Sequence, residues 1–467
     1  MRTVLLLALS SALTGSLFLT RTVIGQWNRL HGGRNVWRTR EDDSTSEKLD
    51  NFVSAYADAH GFNGSVLVAR GRTILLDKGY GWRDAARKLP NDGQTRFQIA
   101  STTKTFTSTM VLRLAAAGKL SLTDKLSRWY PELPFADSVT IEQMLTHTSG
   151  IWNFTRGKDI PKRADEQKMI AILRAHPLDF PPGSNWSYSN SNYVLLGYIL
   201  GKIMGQHYFE AVRHTIFEPL QMTGSGFDFA NCASADRAVG YETLNDSVAV
   251  PAGITDSSVP FAAGSIYSTV EDLYRWHRGL EDGKILPMEW QERAYEKYHG
   301  NGYGFGWTVD SLAGRRVVSH SGSIEGFGSD FERVPGDDIC VVALSNKDGS
   351  TFDVSNICHT LLAILYHQPY SLPKKSTVVQ LSAEQLQTYT GLYEFPQIGL
   401  NFRLWVEDGA LRLQCANRPG AVSTLEPTGN DHFITRESGD AECWIDRTAG
   451  TLTFTQQGKT FTGKKSK

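Results

Sequence analysis

The chain has 467 residues, is 40% hydrophobic and 21% charged, and carries a formal net charge of −1. That length points to two or more domains, and that balance to a globular protein with an ordinary core. Near-neutral charge, with no Lys/Arg stripe interleaved with aromatics, excludes a nucleic-acid partner. Cofactor fingerprints are missing as well. There is no Gly-x-Gly-x-x-Gly between a strand and a helix and no His-Glu-x-x-His, and Gly458-Lys459-Thr460 lacks the upstream glycine of a phosphate loop. The twelve histidines form no ligand-like cluster, so neither a cofactor nor a metal is expected. The five cysteines (Cys232, Cys340, Cys358, Cys415 and Cys443) make no C-x-x-C, and their odd number excludes a fully paired framework. A Cys415–Cys443 bridge is conceivable, but buried free thiols are favoured.

In chain order, Met1-Arg2 precedes a mostly apolar run from Val4 to Leu19. That run has the length of an export signal and is short for a spanning helix. Val23-Ile24-Gly25 offers a cleavage site, so residues 1–25 are read as a signal peptide and 26–48 as an N-terminal segment. The destination is then periplasmic or extracellular. No acidic residue precedes Glu41, whereas Arg21, Arg29, Arg34, Arg38 and Arg40 follow the apolar run. Positive charge there opposes export. An uncleaved membrane anchor and a mitochondrial transit peptide therefore stay open. Residues 41–60 have helical spacing through Leu49, Phe52, Val53 and Tyr56. Ser65–Ala69 and Thr73–Leu76 flank Arg70-Gly71 as a hairpin. A helix-rich middle follows, roughly 102–290. Strand character returns at Arg315–His320, Phe331–Val334 and Ile339–Ser345, and Val354–Tyr366 reads as a closing helix.

Strands, helices, strands and a final helix fit one α+β domain over 49–367, whose antiparallel sheet uses both chain ends. Residues 368–381, with Pro369, Pro373 and adjacent lysines, read as a linker. After a short helix at Ala383–Tyr389 the pattern changes. Phe402, Leu404 and Val406 alternate, Glu407-Asp408-Gly409 turns, and Leu411, Leu413 and Cys415 alternate again. A second alternating pair surrounds Thr448-Ala449-Gly450. Residues 382–467 thus form a small antiparallel β-sandwich or barrel.

Ser101-Thr102-Thr103-Lys104 places a hydroxyl and an amine three residues apart at the start of a helix marked by Phe106, Met110, Val111, Leu114 and Ala117. An alcohol beside a buried amine is a way to make serine nucleophilic, and the unpaired N–H groups and dipole of a helix start favour an alkoxide and a neutral amine. A second copy, Ser371-Leu372-Pro373-Lys374, has proline inside it and is a decoy. Ser187-Tyr188-Ser189-Asn190 follows Pro181-Pro182-Gly183 and precedes an amphipathic helix. There Tyr188 could relay a proton and Asn190 could hold a substrate amide. His320-Ser321-Gly322-Ser323 ends a strand, and Gly322 allows a substrate or backbone to approach. Taken singly, each piece has an ordinary structural reading as a helix cap, a packed tyrosine or a strand-ending turn.

Together, in this order, the three pieces resemble the serine β-lactamase and penicillin-binding-protein family. The resemblance is to its class C β-lactamase-related branch, which includes D-aminopeptidases, D,D-carboxypeptidases and esterases. Phe97-Gln98-Ile99-Ala100-Ser101, Leu145-Thr146-His147-Thr148-Ser149-Gly150, Tyr188-Ser189-Asn190-Ser191-Asn192-Tyr193, Ser268-Thr269-Val270-Glu271-Asp272-Leu273 and His320-Ser321-Gly322 carry it, over residues 50–366. The tail resembles an appended lipocalin-like domain. The resemblance implies that Ser101 forms an acyl-enzyme and that Lys104 and Tyr188 share the acid and base work. It implies that Asn190, His320, Ser321 and Gly322 bind substrate, and that the backbone N–H groups of Ser101 and Ser323 form an oxyanion hole. Classical β-lactamases have lysine where this chain has His320, which weakens recognition of a substrate carboxylate. His147 is read as packing or capping a turn. Amide or ester bonds of D-residue peptides, cell-wall-type peptides or short esters are the implied substrates. A true β-lactamase and a non-catalytic peptide- or peptidoglycan-binding homologue are the alternatives, and homo-oligomerisation through the tail stays open.

Overall fold

The structure is a computed structural model that describes residues 40–466 except 158–159, 246, 299, 376, 417–421, 436–441 and 457–458. The apolar run Val4 to Leu19 and the arginine-bearing stretch to residue 39 lie outside the described residues. Among those described, no helix is long and apolar enough to cross a membrane.

The first hairpin forms as expected, from β1 (Gly64–Arg70) and β2 (Thr73–Tyr80), and turns at Gly71 with φ +58°. Four later strands complete the sheet: β3 (Thr308–Leu312), β4 (Arg315–Ile324), β5 (Phe327–Val334) and β6 (Ile339–Ser345). Their spatial order is β2-β1-β6-β5-β4-β3, and every pair is antiparallel. Strand β1 therefore lies against β6, and the sheet unites both ends of the domain. Strands β4 and β5 run longer than their sequence suggests. Ser321, Gly322 and Ser323 look like turn residues but stay in the ladder, where Gly322 faces Ser329 and Ser323 faces Gly328. The reversal falls instead at Glu325-Gly326, where Gly326 has φ +73°.

Helices cover both faces of the sheet. Helix α1 (Arg40–His60) and helix α5 (Thr351–Leu365) bury Leu49, Phe52, Val53, Val354, Ile357 and Leu361 against Val66, Val68, Val341 and Ala343. On the other face lie helix α2 (Thr103–Ala116), helix α3 (Asn190–Met204) and helix α4 (Val270–Glu281). Here Phe106 stacks on Trp276 at 4.5 Å, in the same core as Leu67, Phe331 and Val342. Strand β6 is buried on both faces, which is why Ile339–Ser345 reads as an unbroken apolar run.

Helix α2 is buried from Thr103 to Leu112, wider than the apolar stripe in its sequence. Its hydroxyls make this affordable. Thr105 bonds the Thr102 carbonyl at 2.9 Å, Thr109 the Thr105 carbonyl at 2.8 Å, and Thr107 the Ala262 carbonyl at 2.6 Å. A threonine with its hydroxyl satisfied buries almost like valine.

Arg333 of β5 is fully buried and ties α4 to the sheet. It donates to Glu281 at 2.5 Å, to the Tyr295 hydroxyl at 2.6 Å and to Nδ1 of His277 at 3.0 Å. His277, Glu281 and Asp338 offer ligand atoms within 4.8 Å of one another. Two guanidinium groups serve these carboxylates, Arg333 on Glu281 and Arg278 on Asp338, so the cluster is an ion-pair knot.

Downstream, a short helix (Ala383–Gln387) leads into eight strands, from Gly391–Phe395 to Lys459–Lys465. They pair in chain order, and the last closes on the first through Tyr393↔Lys465 and Glu394↔Lys464. Of the two architectures open to the sequence, the domain is the barrel. The five cysteines form no disulfide: Cys340, Cys358 and Cys443 are buried, while Cys232 and Cys415 are half-buried rather than buried.

Removing one member of the Arg333 knot strands buried charge. Arg333→Met is expected to lower stability by about 3–5 kcal/mol in a denaturant titration, because Glu281, with a side chain 10% exposed, loses its cation.

Candidate active site

Ser101 is delivered by a short, tightly held segment. Phe97–Gln98 pairs with Tyr267–Ser268, and Ile99 N–H bonds the Ile266 carbonyl at 2.9 Å. Ala100 then takes φ +43°, a conformation non-glycine residues adopt under constraint, and opens a 3₁₀ turn, Ala100–Thr102, that runs into α2. Strand β4 closes on this turn from behind. Thr102 Oγ1 donates to the His320 carbonyl at 3.0 Å, and Ser329 Oγ donates to the Ile99 carbonyl at 2.8 Å. A Cβ on Gly322 would lie 2.5 Å from the Ile99 oxygen and 2.8 Å from the Ser101 nitrogen. The close approach at Gly322 is thus made by the protein's own backbone, and it sets where Ser101 stands.

Lys104 lies one turn further along and is completely buried. Its Nζ is 3.0 Å from Ser101 Oγ, 2.8 Å from Asn190 Oδ1 and 2.7 Å from the Ala263 carbonyl. Among the described residues no carboxylate pairs with it, and desolvation pulls its pKa well below the ordinary lysine value. A neutral amine has two N–H bonds and one lone pair. The two carbonyl-type oxygens accept the N–H bonds, and the lone pair is left for the Ser101 hydroxyl proton.

Burial raises the Tyr188 pKa, and the neighbouring Ser101 hydroxyl only partly opposes this, so the phenol stays protonated. Its ring centre is 4.9 Å from Lys104 Nζ. The loop that carries it is gripped on both sides by His147. Ser187 N–H donates to the His147 carbonyl at 3.0 Å, and Ser189 N–H donates to His147 Nδ1 at 3.2 Å. The His147 ring packs on Tyr188 with centroids 4.4 Å apart. Because Nδ1 accepts, the ring is neutral, and burial pulls its pKa well down. His147 has φ +60°, which a histidine tolerates better than most residues.

His320 is buried and turns away from solvent. Its Nδ1–H donates to the Ser321 carbonyl at 2.7 Å, so Nε2 accepts from the Tyr303 hydroxyl at 3.0 Å. Desolvation above all pulls its pKa down to about 3 against the Ser321 bond. The ring is therefore uncharged at neutral pH. Ser101, Asn190 and Ser323 line a cleft of about 530 Å³, whereas Tyr188 and His320 stand outside its lining. Asn190 Nδ2 donates to Thr155 Oγ1 at 3.3 Å. A larger hollow of about 730 Å³ beside Trp129, Glu166 and Lys202 has no serine, threonine or cysteine in its lining.

A beta-lactamase family model matches residues 49–362. The chain belongs to the beta-lactamase family. It is 31% identical over 257 residues to the putative penicillin-binding protein PbpX of Bacillus subtilis, a match that covers 55% of this chain and 64% of that protein. The octameric penicillin-binding protein homologue from Pyrococcus abyssi superposes with a TM-score of 0.63 at 25% identity, over 89% of this chain and 99% of that one. A D-stereospecific amidohydrolase from Streptomyces does so with a TM-score of 0.54 at 25% identity, over 67% of this chain and 95% of that one.

Within this beta-lactamase family domain, the motifs read from sequence meet around one point. Ser101, Lys104, Tyr188 and Asn190 are in contact, and Gly322 abuts the serine turn. Residues that sequence reasoning missed are the Ala263 carbonyl, Tyr303 and the grip of His147. Only His147 had a local signal, in Leu145-Thr146-His147-Thr148-Ser149-Gly150; its bond to Ser189 spans 42 residues. The Ser268–Leu273 stretch builds the ladder that holds Phe97–Gln98, and Thr269 caps α4 by accepting from Asp272 N–H at 3.0 Å. Gly322→Ala is expected to lower Ser101-dependent turnover in a p-nitrophenyl ester assay by about 100-fold or more, since ångström-scale displacement of a reacting group costs that much. The same variant should retain a wild-type circular dichroism spectrum.

Proposed function

We propose that this chain is a serine hydrolase that cleaves ester or amide bonds through an acyl-enzyme on Ser101. The observation that carries the reading is the buried Lys104 Nζ 3.0 Å from Ser101 Oγ, with no carboxylate to keep it charged. Lys104 takes the serine proton as Ser101 Oγ attacks the substrate carbonyl carbon. Tyr188, held protonated, passes a proton to the leaving group as its bond to that carbon breaks. The proton removed from Ser101 thus reaches the leaving group by way of Lys104 and Tyr188. Backbone N–H groups of Ser101 and Ser323, both at the cleft wall, stabilise the oxyanion. Water then attacks the ester carbon and releases Ser101 and the acid. Asn190 serves this chemistry by fixing Lys104 with its carbonyl and by presenting its amide nitrogen beside Thr155.

An uncharged His320 supports substrates that need no fixed cation for a carboxylate, such as small peptides with D-residues, aminoacyl amides and esters, over penicillins. The D-stereospecific amidohydrolase among the structural neighbours agrees with this choice. Nitrocefin turnover is accordingly expected to be slow or absent.

Ser101→Ala is expected to abolish hydrolysis of a p-nitrophenyl ester and labelling by a fluorophosphonate probe; undiminished turnover would discard the assignment. Lys104 gives a test with a defined sign. Its folded pKa is depressed, so between that value and the unfolded value near 10.4 only the unfolded state binds the proton. The stability of the wild type relative to Lys104→Met should therefore rise with pH by up to about 1.4 kcal/mol per unit and level off above about pH 10.4. Urea titrations of both proteins across that range measure it, and parallel curves would show that Lys104 is charged in the native state.

A further inference from the structure

Two stretches shape the cleft beside Ser101, one through Phe154, Thr155 and residues 160–162, the other through residues 253–256, Val259 and Pro260. They are stitched to each other. Arg163 Nε pairs with Asp256 at 2.7 Å, and Ala164 N–H donates to Ser258 Oγ at 3.2 Å. Asp256 is further held by the Ser258 hydroxyl at 2.6 Å. Between these tethers the walls are mostly apolar, with Thr155, Lys162, Thr255 and Glu325 as polar residues of the lining. Phe154 and Ile160 come from the first stretch and Ile254 and Val259 from the second, with Ile324 of β4 beside them. Ile160 is 47% exposed and Ile254 is 45% exposed. Single exposed aliphatics are ordinary. Two of them on opposite stretches, lining one cleft with a serine hydroxyl on its wall, form a preformed apolar slot of the size that takes a small ligand.

The slot also has a direction, given the serine hydrolase reading on which this inference rests. Tyr188 delivers a proton to the leaving group, so the leaving group sits on the Tyr188 side of Ser101. Tyr188 is absent from the lining of this cleft. The cleft therefore receives the other side of the scissile carbonyl. We infer that it binds the acyl portion of the substrate, and that this portion is bulky and apolar, with its hydrocarbon between Ile160 and Ile254.

A series of p-nitrophenyl esters tests the inference, from acetate through butyrate to octanoate. Each added methylene that leaves water for an apolar wall favours binding by up to about fourfold, so octanoate should exceed acetate in kcat/KM by tenfold or more. In the Ile160→Ser/Ile254→Ser double variant the octanoate-to-acetate ratio should fall at least tenfold, and inhibition by octylboronic acid should weaken more than inhibition by methylboronic acid. A flat series in a wild type whose turnover needs Ser101 overturns the apolar acyl slot and leaves the hydrolase intact. A steep series that the double variant does not flatten overturns the assignment to these walls. Ester turnover that survives Ser101→Ala overturns the hydrolase reading, and the slot with it.

Discussion

An amine without a counter-charge organises this molecule. Placing Lys104 where water cannot reach it is costly, and nothing acidic offsets the cost. What makes it tolerable is a set of neutral partners: an amide oxygen from the start of α3, a carbonyl from the segment after residue 260, and the serine in the 3₁₀ turn just before α2. Each comes from a different part of the chain, so the site exists only when the helical layer is fully assembled. The threonine-rich face of α2 belongs to the same solution, because it lets a polar helix run through the core without orphaned hydroxyls.

Local patterns were legible in the sequence, and long-range ones were not. The hairpin at Arg70-Gly71, the strand Ile339–Ser345 and the alternation at Phe402–Val406 follow from period-two patterns and turn residues, and each forms. The Ser101–Lys104 pair is visible because both residues lie on one helical turn. Tyr188 and His320 were visible only through the order of three short motifs along the chain. Neither propensity nor periodicity says that a tyrosine 87 positions after a serine will touch it.

The misses have physical causes. Gly322 and its serine neighbours have the composition of a turn, yet they stay in strand β4, because the strand needs a residue without Cβ where the Ser101 turn crosses it. The burial of α2 was underestimated because threonine looks solvent-facing until its carbonyl partners are known. The half-buried state of Cys232 and Cys415 and the choice between sandwich and barrel depend on contacts between distant strands. The cleft walls at 160–162 and 253–260 carry no periodic signal; tethers such as Arg163–Asp256 hold them.

The C-terminal barrel closes through Tyr393 and Glu394 against Lys464 and Lys465, so it ends in no unpaired strand. A neighbour cannot lengthen its sheet, and recognition by added backbone ladders is denied to it. Whatever the barrel touches must be met by side chains on its outer wall, where Trp444, 50% exposed and stacked on His432 at 3.9 Å, offers a broad flat surface.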